Sequence, residues 1–476
     1  MIELIKNKIQ TIQLTSIEKR YLLITLVAYI CYSIYHIFYY PVYIDEASTY
    51  LDYASKNISS IASNYEEPNN HVFFSIIAHL FQFIPIDHLI SLRIPNLLIG
   101  IFTSAFLYLF VRSLHGHKGA VLAHLFFTFS YFFTYYSVFA RGYMIIILMG
   151  LICFYCVLQL AKDFNKKYIL IYLICSIIGF YTIPIFLYVS TSLVLFQFIL
   201  FKNEASKLFL LLKYHLVIGV VTFLLYLPII YFNGLDSIIN NQWTKKLPLN
   251  LIIDCFKDRS VLGLFDKLIG VNSFYLILIF LLTLLYIYLK KATFNEKRII
   301  QFIFISFLLP FVFILVQRVI PGTRTWCYLL IPLTLGIALI YSKVNELMKV
   351  KTILTYASGA IIVLLFSVIF HKSHPNAAKE KDFTITKLSE QLQKRKYTSI
   401  YSEFGPKTFE EVNIRFNYAR FDKSLEFYNQ SSEVNRLDLT KIDCFIVHSD
   451  SKLIQEKIIK NKEVIFEENG ISIYGR

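Results

Sequence analysis

Long apolar runs recur along the chain and leave only short polar connections between them. They lie near Tyr21–Tyr40, His71–Ile86, Leu89–Val111, Gly119–Ala140, Tyr143–Ala161, Tyr168–Ile183, Ile185–Phe201 and Leu208–Phe232, and then near Val271–Leu289, Ile299–Gln317, Thr325–Tyr341 and Thr352–Phe370. A helix needs about twenty apolar residues to cross a hydrocarbon core of about 30 Å, so the runs predict membrane-spanning helices. After His371 the pattern changes. Charged residues now separate the short pieces Ser399–Phe404, Leu425–Tyr428, Cys444–His448 and Val464–Tyr474, which predict strands with helical stretches between them. Asn469-Gly470, between Phe466 and Ile473, predicts a closing hairpin. The expected fold is an all-α polytopic membrane domain over residues 1–371, with a first outer loop over 42–88, followed by a small α/β domain over 372–476.

The charges between the runs set the expected topology. If every run crossed, the basic connections Arg112 to Lys118, Lys162/Lys166/Lys167, Lys202/Lys207 and Lys290 to Arg298 would face outward, against the positive-inside rule. Laying the shortest run, His71 to Ile86, along the outer surface removes the conflict. Its His71, Ser75, His79 and Gln82 recur at helical spacing on one face. About eleven spans remain, with the N-terminus inside and the tail outside. His115 and His117 then fall in a cytoplasmic loop, where solvated side chains are expected.

Composition agrees with a membrane protein: 56% of residues are hydrophobic and only 17% charged. The net charge of +15 resides mainly at the cytoplasmic ends of spans, so nucleic acid is not an expected partner. Cys153, Cys156 and Cys175 lie within apolar runs and read as packing. The first run is too long for a cleaved leader and is expected to stay as a span.

This topology gathers acids and arginines on one face. Asp45-Glu46 follow the first span, Glu66-Glu67-Pro68-Asn69-Asn70-His71 precede the surface helix, and Arg93 enters the second span from outside. Arg141 in Ala140-Arg141-Gly142-Tyr143 caps the exit of the third. Arg318 and Arg324 bracket a turn, and Trp243 lies in a long outer loop. A carboxylate at a membrane surface can relieve an acceptor hydroxyl of its proton, and guanidiniums suit a departing phosphate.

The ordered series Asp45-Glu46, Asn70-His71, Arg93-Ile94-Pro95 and Ala140-Arg141-Gly142-Tyr143 resembles the class C glycosyltransferases that use lipid-phosphate sugars, in the branch of protein O-mannosyltransferases and lipid A aminoarabinose transferases. The resemblance covers roughly Leu22 to Tyr341. It implies that Asp45 acts as base or acceptor anchor with Glu46 as its partner, and that Arg93, Arg141, Arg324 and Arg318 hold the donor phosphate. Tyr143, Asn70, His71 and Trp243 are the candidates for sugar or acceptor contact. No cofactor is required by this scheme, although a divalent cation on Glu67 and His71 is compatible with it.

The expected activity is transfer of a sugar from a polyprenyl-phosphate donor to a lipid, protein or glycan acceptor. One base and no second nucleophile implies inversion at the anomeric carbon. The expected location is a bacterial inner membrane, with the site and tail domain on the periplasmic side. Two other readings stay open: a lipid-linked sugar transporter, which needs polar residues along an internal path, and a non-enzymatic scaffold for the tail domain.

Overall fold

The computed structural model describes residues 13–65, 69–241, 244–257, 268, 274–373, 376–402, 409–420, 425–429, 442–448, 463–468 and 471–475. Lipid offers no partner to backbone N–H and C=O groups, so each apolar run closes its hydrogen bonds within itself as a helix. The first, α1 (Ser16–Tyr39), begins at a capping box. Thr15 accepts from the Glu18 N–H, and the Glu18 carboxylate accepts from the Thr15 N–H.

The first outer loop folds into short pieces, α2 (Ile44–Ser48) continued by a π-helical turn Thr49–Ala54, α3 (Ile58–Ser63) and α4 (Val72–Phe81). Ten residues give α4 a length of about 15 Å, half of what a crossing needs. It corresponds to the run expected not to cross.

The next helix, α5 (His88–Phe129), holds one non-helical residue, Gly116, at φ 71 and ψ 179. Ser104 bonds His124 and Thr128 at 2.8 Å each, and Tyr108 bonds His117 at 2.9 Å. In a straight helix Ser104 and His124 would stand about 30 Å apart, so the chain reverses at Gly116 and its two arms lie side by side. The expected basic loop is thus reduced to a turn on one glycine. Its two histidines are not solvated as expected: His117 bridges Tyr108 to Tyr356, and the Nε2 of His115 is buried. The expected span Gly119–Ala140 is also interrupted: extended backbone at Ser130 separates α5 from α6 (Tyr131–Val138).

Then follow α7 (Tyr143–Lys162), α8 (Lys166–Thr182), α9 (Phe186–Phe201), α10 (Ala205–Asn233), α11 (Asp236–Ile239), α12 (Leu249–Lys257), α13 (Phe274–Lys290) and α14 (Phe294–Gln317). A 3-10 turn Thr323–Leu329 leads into α15 (Leu330–Met348), and α16 (Thr352–Ser373) ends the apolar part. Among the described residues, seven helices are long and apolar enough to cross a membrane, α1, α5, α7 and α10 being four of them. The protein is a multi-pass membrane protein. Helix α7 is its centre, buried along almost its whole length against α5, α8 and α9.

The tail forms the expected small α/β unit. Helices α17 (Asn376–Lys394) and α18 (Phe409–Ala419) accompany strands β1 (Ser399–Ser402), β2 (Glu426–Asn429), β3 (Cys444–His448), β4 (Glu463–Glu468) and β5 (Ile471–Gly475). The sheet order is β2-β1-β3-β5-β4, parallel between β1 and its neighbours and antiparallel at β3-β5-β4. The turn residues Asn469-Gly470 lie outside the described residues, while β4 and β5 pair on either side of them. Ile414 and Tyr418 of α18 pack into the tail's own core, whereas Val412 and Phe416 join the core of the membrane part. Phe416 meets Tyr50 edge-on at 5.3 Å, and Arg420 grips Asp87, the N-cap of α5, at 2.6 Å. The tail therefore rests against the loop that carries Asp45 and Glu46.

Candidate active site

Glu46 and Arg93 form a fully buried pair. The Glu46 carboxylate accepts from Arg93 Nε at 2.9 Å and Nη2 at 2.6 Å, and also from the backbone N–H of Ala140 at 2.8 Å and of Tyr43 at 3.1 Å. The other donors of Arg93 reach the carbonyls of Ile37, Tyr40 and Pro41, each at 2.8 Å. Arg93 thus spends its five N–H groups inside the protein. This corrects two expectations: Arg93 has no donor left for a phosphate, and Glu46 is not free to serve as a catalytic partner. Together they tie the end of α1, the start of α2 and the residue before Arg141 into one rigid corner.

Asp45 projects from that corner. Its Oδ2 accepts from Arg324 Nη1 at 2.7 Å and lies 3.8 Å from Arg141 Nε. Both contacts fall on Oδ2, so Oδ1 has no protein partner among the described residues. Arg141 is nearly buried and spreads its Nη1 over Thr49 Oγ1 at 3.2 Å and the Asn69 carbonyl at 3.1 Å. Arg324, which is 279 positions from Asp45, arrives on the 3-10 turn before α15.

His71 completes the cluster. Its Nδ1 accepts from the Gly142 N–H at 2.8 Å, which places the ring proton on Nε2. That N–H faces Arg141 Nη2 at 3.0 Å, so two donors stand opposed with no acceptor between them. Burial, reinforced by the charges of Arg141 and Arg324, holds the imidazole pKa well below its ordinary value and keeps the ring neutral. Gly142 is required at this point, because a Cβ would stand 2.6 Å from Thr182 Cγ2 and 3.0 Å from His71 Cβ.

A cavity of about 510 Å³ opens beside the cluster. His71, Tyr143 and Arg324 form one wall, the α8–α9 turn Ile183-Pro184-Ile185 a second, and Gln317 with Val319 and Pro321 a third. Asn241, Thr244 and Lys246 close the side towards the long outer loop, with Tyr65 and Tyr188 between. Tyr188 donates to Gln317 Oε1 at 3.0 Å and so fixes the amide. A second cavity of about 440 Å³, lined by Leu195, Leu285, Ile300 and neighbours, is almost wholly apolar and touches none of these groups.

The structure brings Asp45, His71, Arg141, Tyr143 and Arg324 together and sets other candidates apart. Asn70 is buried, donating to the Ile61 and Asn64 carbonyls and accepting from Ser75, so it has nothing to offer a sugar. Arg318 is the left-handed C-cap of α14 and does not line the cavity. Trp243 and Glu67 lie outside the described residues. His71 Nδ1 is engaged by the Gly142 N–H, and no group of three metal-type ligands occurs among the described residues. Sequence reading missed Tyr65, Tyr188, Lys246 and Gln317. Their position after or between apolar runs is shared by many interfacial residues and singles out none of them.

Residues 70–232 match the family model described as dolichyl-phosphate-mannose-protein mannosyltransferase. That stretch contains His71, Arg141 and Tyr143 and stops short of both Asp45 and Arg324. No curated protein matches the chain significantly. Among solved structures, ArnT from Cupriavidus metallidurans in the apo state aligns with a TM-score of 0.61 at 11% identity, covering 95% of this chain and 96% of that one. The same protein bound to undecaprenyl phosphate aligns with a TM-score of 0.59 at 10% identity, covering 95% and 97%. The all-α polytopic fold with a small C-terminal α/β domain expected from the sequence is the fold found, and it is shared with these ArnT structures.

Proposed function

We propose that this chain is a membrane glycosyltransferase that moves one sugar from a polyprenyl-phosphate donor to an acceptor hydroxyl at the outer face of a bacterial-type inner membrane. The observation that carries this reading is Asp45 held between Arg141 and Arg324, the latter lining a cavity of about 510 Å³. Around it the Arg141 and Arg324 guanidinium groups and the His71 Nε2–H converge as donors, which suits an anion bearing several oxygens. The mannosyltransferase family match and the shared fold with an ArnT that binds undecaprenyl phosphate support a lipid phosphate as that anion.

The chemistry follows from the charges. The acceptor hydroxyl passes its proton to Oδ1 of Asp45 as its oxygen bonds to the anomeric carbon. The bond from that carbon to the phosphate oxygen breaks, and the lipid phosphate leaves with the electron pair and one further negative charge. Arg141 and Arg324 stabilise that growing charge. As Arg324 turns to the phosphate, its hold on Asp45 loosens and the carboxylate is released to act. One base with no second nucleophile gives inversion. Glu46 and Arg93 act as the scaffold of Asp45, and Arg318 takes no part.

Asp45→Asn is expected to lower turnover about 10²–10⁴-fold, and Arg141→Ala about 10²–10³-fold. Both are read as transfer from a labelled polyprenyl-phosphate sugar. Full activity in the two variants rules the mechanism out.

A further inference from the structure

We infer that the sugar on the donor carries no positive charge, being neutral or acidic, and that Lys246 is the residue that enforces this. The inference rests on the cavity being the donor site.

Among the described residues lining the cavity there is no carboxylate, while Arg324 and Lys246 both line it. Arg141 stands just behind, 3.8 Å from Asp45. Asp236, on the same short helix as the lining residues Ile238 and Ile239, is not part of the wall. Among the described residues Asp45 is the one acid in the cluster, and its contacts go to the two arginines. His71 is neutral, since burial and those same arginines oppose its protonation. Arg141, Arg324 and Asp45 together leave one positive charge, which a phosphodiester donor cancels. Lys246 then remains as an uncompensated cation.

An ammonium group on the sugar would find no counter-ion among the described lining residues and would meet the like charge of Lys246. Hydroxyl groups, in contrast, find the Gln317 amide N–H donors and the Tyr65 hydroxyl. A carboxylate on the sugar would neutralise Lys246. Because Lys246 is exposed, water and salt screen its field, and the discrimination should weaken as ionic strength rises.

The test uses the full chain in lipid nanodiscs with radiolabelled undecaprenyl phosphate as the bound probe. Unlabelled mannosyl-, hexuronosyl- and aminopentosyl-phosphoundecaprenols compete for it. The aminopentosyl donor is expected to need a concentration at least about tenfold higher than the other two at low salt. Lys246→Glu should reduce or reverse that ratio. Equal or better competition by the aminopentosyl donor in the unaltered protein overturns the inference. A ratio unmoved by Lys246→Glu overturns the assignment to Lys246. If undecaprenyl phosphate itself fails to bind, the donor-site reading falls, and this inference with it.

Discussion

Glu46 and Arg93 carry opposite charges in a place neither shares with water, and this decides what they do. Removing one partner of such a pair strands the other, at a cost of about 3–5 kcal/mol. Glu46→Ala is therefore expected to lower the thermal midpoint of the detergent-solubilised protein substantially, whereas Asp45→Asn, at a partly exposed carboxylate, should leave it nearly unchanged. A Glu46→Ala protein with normal stability and lost activity would return Glu46 to the chemistry. His71 gives a pH dependence of definite sign. Its folded pKa lies below the ordinary value of about 6.5, so the unfolded chain binds a proton that the folded one refuses. The stabilisation from a neutral His71 is complete above about pH 6.5 and is lost progressively as pH falls towards the folded pKa. Thermal midpoints at pH 7.5 and 5.5 should diverge more in the unaltered protein than in His71→Gln.

Helix α5 shows how one residue redirects an element. Gly116 takes a positive φ that side chains with a Cβ avoid, and the antiparallel arms it permits are joined by buried polar contacts of Ser104 with His124 and Thr128. Ser104→Cys with Thr128→Cys is expected to oxidise to a disulfide, since the parent oxygens are 2.8 Å apart. Thiol titration after mild oxidation should then find no more free thiols than in the unaltered chain. Two additional free thiols would mean that the arms do not lie together. At the other end of the same helix, Asp87 caps the first turn and holds Arg420 of the tail. One carboxylate thereby couples the start of α5, the arm carrying Arg93, to the tail domain.

Across the whole molecule, ion pairs mark two ends. Asp45, Arg141 and Arg324 meet at one, and the pairs Glu18–Arg112 and Lys343–Glu296 at the other. The second end also gathers the basic connections, so the positive-inside rule predicts that it faces the cytoplasm. In a background cleared of reactive native thiols, Lys56→Cys and Lys394→Cys are expected to react with a membrane-impermeant maleimide on intact spheroplasts. Lys291→Cys should react only after permeabilisation. Labelling of Lys56→Cys and Lys291→Cys from the same side would refute the topology.

The apolar helices and the strand pieces of the tail were legible in the amino-acid order. Each depends on length, local hydropathy or nearby charge, which neighbouring residues supply. Asp45, Arg141 and Arg324 were likewise legible as candidates, because acids and arginines at helix ends are few. What the order could not show is which arginine is available. Arg93 and Arg324 look alike as side chains at membrane boundaries, yet one is saturated by carbonyls at the end of α1 and the other reaches across 279 positions to Asp45. Availability depends on whether a group's hydrogen bonds are already made, and those partners are brought together only by packing. The same holds for Asn70, spent on its own loop, and for the cavity, whose walls come from segments that share no pattern in the sequence.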